Sequence, residues 1–158
     1  MPSLPKMPQK NKLSLSVQYA DPALKESVPR AHVRRWAQAA LLGPAEMTIR
    51  FVDADEGRAL NKAYRGKDYA TNVLTFAYTE HEEAELTQAD IVLCAEVLQR
   101  EAAEQKISSE AHAAHLVVHG VLHAQGYAHE TDHEAAEMEQ MEIEILAGLG
   151  LSNPYANR

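Results

Sequence analysis

One cysteine, Cys94, is all that the 158 residues hold, which excludes an intramolecular disulfide framework and any multi-cysteine zinc site and suits a reducing compartment. No apolar run approaches the roughly 20 residues that cross a bilayer. The first twelve residues are polar and Pro-rich and lack the apolar stretch of a secretory signal. They read as a loose tail, 1–12, ahead of one domain, 13–158, in a soluble cytoplasmic protein. Positive charge is also scarce, with 15 Lys+Arg against 23 Asp+Glu, a net charge of -8 and a pI near 5.4. That balance argues against a generic nucleic-acid binder, which is usually basic overall. The deficit is uneven, because residues 1–79 carry 12 Lys+Arg against 7 Asp+Glu, or +5, and the rest carry 3 against 16, or -13. Hydrophobic content of 46% and charged content of 24% are ordinary globular values, so the chain is long enough and apolar enough for a real core.

The patterning predicts strands first and helices last. Leu13, Leu15, Val17 and Tyr19 alternate with polar residues, the period of a half-buried strand. A helix is expected from about Pro29 to Leu42, stopped by Gly43-Pro44. Thr48 to Val52 reads as a strand, followed by a short helix capped by Asp53 or Asp55 and reaching Tyr64. Val73 to Tyr78 and Ile91 to Cys94 are short apolar runs, with an acidic exposed loop, Glu80 to Glu85, between them. Glu96 to Gln105 is amphipathic, Ser108 or Ser109 can cap the next helix, and Gly126 should end it. Thr131 with Glu134 makes a capping box for a last helix to about Ala147. The expected class is α+β, a small mixed β-sheet with helices packed on it.

Of eight histidines, six fall at 112, 115, 119, 123, 129 and 133. At about 100° per residue, His112, His115, His119 and His123 share one side of a helix. His115 and His123 are about 12 Å apart along the axis, too far for one ion, whereas neighbours at i and i+4 can share one. His119 and His123 are such a pair, and Gly126 can reverse the chain so that His129 returns beside them. Three histidines leave the fourth position of a tetrahedral zinc open, as in a catalytic site. The spacing H-x-x-x-H-x-x-G-x-x-H is that of the metzincin proteases, except that Gly120 stands where those enzymes carry a general-base Glu. His112, His115 and His133 read as packed or solvated side chains, and His32 and His81 as surface residues.

The stretch His119-Gly-Val-Leu-His-Ala-Gln-Gly-Tyr-Ala-His129, followed by Met138 and Glu142, resembles the H-G-x-L-H-x-x-G-Y-D-H signature of the YbeY family of bacterial endoribonucleases and rRNA maturation factors. Upstream, Leu60-Asn-Lys-Ala-Tyr-Arg-Gly-Lys-Asp68 and Thr71-Asn-Val-Leu-Thr-Phe76 resemble that family's L-N-x-x-Y-R-G-K-D-x-P-T-x-V-L-S-F segment, and Asp90-Ile-Val-Leu-Cys94 resembles its G-D-I-x-I strand. Order and spacing agree from about Leu13 to Tyr155. Two positions depart: Ala128 replaces an Asp before the third histidine and Ala70 replaces a Pro.

The resemblance implies a single-strand-acting, zinc-dependent endoribonuclease of 16S rRNA 3′-end maturation and ribosome quality control. It assigns His119, His123 and His129 to one zinc ion and Arg65 to the substrate phosphate, with Lys62 and Lys67 as weaker candidates for the RNA backbone. The small ribosomal subunit and a GTPase assembly factor are the implied partners. A planar guanidinium at Arg65 suits two non-bridging phosphate oxygens, yet the bare segment equally allows a turn arginine paired with Asp68. A zinc-dependent protease and a ribosome-assembly binding protein with structural zinc are the competing functions, and Gly120 counts against the first.

Overall fold

The computed structural model describes residues 12–78, 86–127 and 130–156. Four strands and five helices follow the order β1 (Leu13–Tyr19), α1 (Arg30–Ala39), β2 (Ala45–Val52), α2 (Ala54–Arg65), β3 (Val73–Ala77), β4 (Thr87–Cys94), α3 (Ala95–Gln105), α4 (Ser109–Ala124) and α5 (Asp132–Gly148). The tail before Lys12, the Glu80 to Glu85 loop, His81 and the Ala128-His129 dipeptide lie outside the described residues.

The strands form one mixed sheet in the order β1-β2-β4-β3, with β1, β2 and β4 parallel and β3 antiparallel at the edge. This is the small mixed sheet with packed helices that the patterning predicts. Alternation sorts its side chains by face. Ile49, Phe51, Ile91 and Leu93 enter the main core with Val33 and Trp36 of α1, Val117 and Val121 of α4 and Leu146 of α5. Val52, Leu74 and Val92 point to the other face, where Leu60 of α2 and Phe76 complete a smaller cluster. So α4 and α2 cover opposite faces of the sheet.

Two strands start earlier than their apolar runs. β2 begins at Ala45 rather than Thr48, and β4 at Thr87 rather than Ile91, because parallel pairing of Ala45 with Thr87 and Glu46 with Gln88 extends the ladder into polar sequence. Glu46 and Gln88 line an open groove of about 410 Å³ on the sheet with Ser14, Ser16, Thr48 and Asp90. α1 is shorter than expected, with Pro29 as its N-cap and Ala39 as its last residue. Its end is claimed from afar: Gln125 Nε2 donates to Ala40 O (2.8 Å) and Leu42 N donates to Gln125 Oε1 (2.7 Å). The helix thus stops before Gly43-Pro44 and is tied to the end of α4. The expected caps form, Ser108 Oγ accepting from Ala111 N (3.0 Å) and the Thr131–Glu134 box closing at 3.1 and 3.2 Å. Among the described residues no helix is long and apolar enough to cross a membrane.

Candidate active site

Helix α4 turns its apolar residues to the sheet and its histidines to α3, α5 and solvent. His112 is buried, and its Nε2 lies 2.9 Å from Glu101 Oε1, which also accepts from Asn72 Nδ2 (3.1 Å). That bridge fastens α4 to α3 and to the residue before β3, a packing role. His133 is exposed at the start of α5, and His32 Nδ1 lies 3.1 Å from Glu110 Oε1 beside Trp36.

Two of the remaining three histidines of the helix, His115 and His119, meet a carboxylate. Glu142 of α5 is 1% exposed, and its Oε1 lies 3.1 Å from His115 Nε2 and 2.9 Å from His119 Nδ1. Tyr155 donates its hydroxyl to Glu142 Oε2 at 2.8 Å, and its oxygen lies 3.1 Å from His115 Nε2. Burial alone would raise the Glu142 pKa, but the hydrogen bonds from His115 and His119 outweigh it and hold the carboxyl ionised, lowered to about 2. Met138, Glu142 and Leu146 repeat every four residues as the buried stripe of α5. An acid on an otherwise apolar stripe is the sequence signal for this role, and the histidine pattern alone does not reveal it.

His119 and His123 stand with ring centroids 6.4 Å apart and planes within 5°. His123 Nδ1 lies 2.9 Å from the carbonyl of Tyr127, so it carries the proton. The carboxylate of Glu142 fixes the same tautomer on His119. In both rings Nδ1 is the nitrogen oriented by a carboxylate or carbonyl, as metal-bound histidines usually have it, and Nε2 is the nitrogen that would face a metal. The donor chemistry fits a divalent ion. Among the described residues no group of three ligands is assembled, and the third expected ligand, His129, lies outside them. Gly126 has φ 103°, the left-handed backbone that turns the chain back after α4.

Gly120 is buried against the sheet. A Cβ there would lie 2.9 Å from Ile91 Cγ2 and 3.5 Å from Thr75 Oγ1. The position that holds a protease's general base is thus filled by strand β4, and a Glu side chain has no room in it.

On the other face, the Leu60 to Asp68 segment separates into structural and outward residues. Leu60 packs into the smaller cluster, buried Asn61 donates to Tyr69 O (2.8 Å), and Gly66 caps α2 with φ 69°. Asp68 is held by Arg58, at 2.7 Å from Nε and 3.1 Å from Nη2. The alternative that Arg65 is a turn arginine paired with Asp68 is therefore excluded. Lys62, Arg65 and Lys67 are exposed and make no ion pair among the described residues. The structure brings these three together at the end of α2 and brings His119 and His123 together on α4, on opposite faces of the sheet.

The family model for "Endoribonuclease YbeY" matches residues 10–150. The chain is 70% identical over 151 residues to the Endoribonuclease YbeY of Janthinobacterium sp. (strain Marseille), covering 96% of this chain and 99% of that protein. It is 62% identical over 152 residues to the Endoribonuclease YbeY of Herminiimonas arsenicoxydans, covering 93% and 97%. Its fold is similar to the solution structure of TM1509 from Thermotoga maritima, with a TM-score of 0.54 at 22% identity over 89% of this chain and 98% of that one.

Proposed function

The chain belongs to the YbeY family of endoribonucleases, and from that membership we propose that it is a metal-dependent enzyme cutting single-stranded RNA in the cytoplasm. Its task in this reading is 3′-end maturation of 16S rRNA and quality control of assembled ribosomes. The small ribosomal subunit and a GTPase assembly factor are its proposed partners.

The observation that carries the reading is the matched placing of His119 and His123, whose Nδ1 atoms lie 2.9 Å from the Glu142 carboxylate and 2.9 Å from the Tyr127 carbonyl. These two, with His129, would hold one zinc ion. A bound divalent ion supplies Lewis acidity, which makes water reactive near neutral pH and offsets phosphate charge. Glu142 keeps the His119 ring in place and Tyr127 O keeps the His123 ring in place. Family resemblance gives Arg65 a phosphate of the bound RNA, and its planar guanidinium suits two non-bridging oxygens in a geometry lysine does not reproduce. Lys62 and Lys67 follow the flanking backbone. The filled space at Gly120 argues against the protease reading, since no carboxylate base fits there.

The test is cleavage of single- and double-stranded RNA by the purified protein with and without a chelator. The reading expects cutting of single strands that stops on chelation and returns with zinc. Equal cutting by chelated and metal-loaded protein overturns the metal dependence, and intact RNA in every condition overturns the nuclease reading. His123→Ala, if folded, should lose cleavage; retained ribosome maturation in that variant would favour the binding-protein alternative.

A further inference from the structure

Every strongly exposed aromatic side chain among the described residues falls in one short segment: Tyr64 at 69%, Tyr69 at 57% and Tyr78 at 63%. The other described aromatics are engaged, with Trp36 and Phe51 buried, Tyr19 stacked on Phe51 at 5.2 Å, Tyr127 packed on the core and Tyr155 on Glu142 and His115. Exposure of an aromatic costs hydrophobic stabilisation, so three in fifteen residues call for a reason. Tyr64 follows Leu60 by four positions and lies on the same side of α2, beyond the small cluster that Leu60 helps to fill. It rests on Phe76 of the edge strand, with centroids 4.9 Å apart and planes at 66°. Its hydroxyl makes no hydrogen bond among the described residues, so packing on Phe76 fixes the ring while most of its surface stays open.

Tyr78 follows Phe76 by two residues and continues the same sheet side, about 7 Å further along the strand. Its hydroxyl donates to Asp90 Oδ2 at 2.6 Å, and Tyr78 N pairs with Gln88 O at 2.8 Å, so this ring too is held in place. The neighbouring charge is of one sign at the other end of the strip. Lys62 and Arg65 occupy the last turn of α2 and Lys67 follows its glycine cap, all exposed and without ion pairs. Glu46 and Asp90 line the groove beyond Tyr78, which confines a polyanion to the α2 end. Fixed aromatic faces beside unpaired cations are what single-stranded nucleic acid uses, stacking its bases on the rings and laying its phosphates on the charges.

We propose that Tyr64, seated on Phe76 at the free edge of the sheet, is a stacking platform for a base of single-stranded RNA whose phosphates lie on Lys62, Arg65 and Lys67. This rests on the RNA reading given above and adds to it a positioning surface that selects unpaired strands, since a base within a duplex offers no face to a tyrosine. Tyr64 touches a base rather than the scissile phosphate and favours neither purine nor pyrimidine.

The experiment measures binding of the chelated full-length protein to a fluorescein-labelled single-stranded RNA of mixed sequence and to an equally long oligonucleotide in which abasic sites replace the nucleotides. Tyr64→Leu should weaken binding of the base-bearing RNA by about 5- to 100-fold, the size of one base–aromatic stack, and leave the abasic probe unchanged. Tyr64→Phe should bind as the parent does. Arg65→Ala should weaken both probes alike. Parent-like binding of the base-bearing RNA by Tyr64→Leu overturns the platform while the RNA reading stands. Equal losses on both probes also overturn it, because the ring then supports the fold or the cations rather than a base. A parent protein that binds neither probe overturns the RNA reading as well and leaves the aromatic strip to a protein partner.

Discussion

Replacing Glu142 by Gln removes one charge from the centre of the histidine network and changes little else in shape. Oε1 takes hydrogen bonds from His115 and His119 and Oε2 takes one from Tyr155. Gln can place its oxygen toward the two rings and its amide toward the tyrosine oxygen, so both ring donors keep their acceptor while the half-buried Tyr155 hydroxyl changes from donor to acceptor and turns its hydrogen elsewhere. What is lost is the preference of the folded protein for the ionised acid. A carboxyl lowered from 4.5 to about 2 contributes roughly 3 kcal/mol of stability. The contribution is complete above the unfolded pKa and disappears as pH falls toward the folded one, because below both values the proton is bound in either state. Urea unfolding of chelated parent and Glu142→Gln should therefore show the parent more stable at pH 5, with the gap shrinking by roughly 2 kcal/mol by pH 3. A gap that stays constant, or an unfolding profile for the variant that falls as steeply as the parent's, would refute the account of Glu142 as an acid held ionised by its neighbours. Glu142→Ala should be worse at every pH, since it removes the acceptor shared by His115, His119 and Tyr155 and opens a cavity in the buried stripe of α5.

Gly120→Ala should destabilise the protein by about 1–2 kcal/mol despite the better helix propensity of alanine, because its Cβ would meet Ile91 Cγ2 at 2.9 Å and that methyl is fixed to a strand. In an Ile91→Ala background the same change should become neutral or stabilising, and chemical denaturation of the four proteins reads the difference; equal effects in both backgrounds defeat the packing argument. Arg65→Ala should unfold within about 0.5 kcal/mol of the parent, as surface changes usually do, yet cut single-stranded RNA about 100-fold more slowly or worse, the usual loss of one charge-stabilising donor. Parent-like turnover would remove Arg65 from the phosphate. RNA affinity should fall with salt at a log–log slope of about -2, corresponding to three phosphates on a single strand. Arg65→Ala should flatten the slope by about 0.7, and a salt-independent affinity would mean that the cations of α2 do not hold the RNA.

Local signals in the sequence carried as far as short-range physics reaches. The capping box at Thr131, the Ser108 cap and the reversal at Gly126 are decided within a few residues, and all are present. The limits of α1, β2 and β4 depend on distant partners, on Gln125 reaching Ala40 and Leu42 and on ladder pairing of polar residues, so periodicity misplaced them. The site divides in the same way. Two histidines four apart are legible because a helix enforces their alignment. The carboxylate that orients one of them comes from another helix, and only the stripe of Met138, Glu142 and Leu146 hints at it.

A net charge of -8 sets a weak long-range repulsion for any polyanion, and the local arrangement of cations decides whether one can still bind. Several arginines of the basic first half are committed to the fold. Arg30 and Arg34 donate to the carbonyls of Val17 (3.2 Å) and Leu13 (2.9 Å), Arg50 pairs with Glu56 at 2.7 Å, and Arg58 holds Asp68. By fixing the 66–69 turn, Arg58 and Asp68 leave Arg65 without the acid that would otherwise neutralise it. The excess of +5 in residues 1–79 is therefore not spread evenly over a surface, since one ion pair consumes the only nearby carboxylate of the turn and three adjacent cations remain. That separation of structural from unpaired cations, within one ten-residue segment, gives an acidic protein a local basic edge.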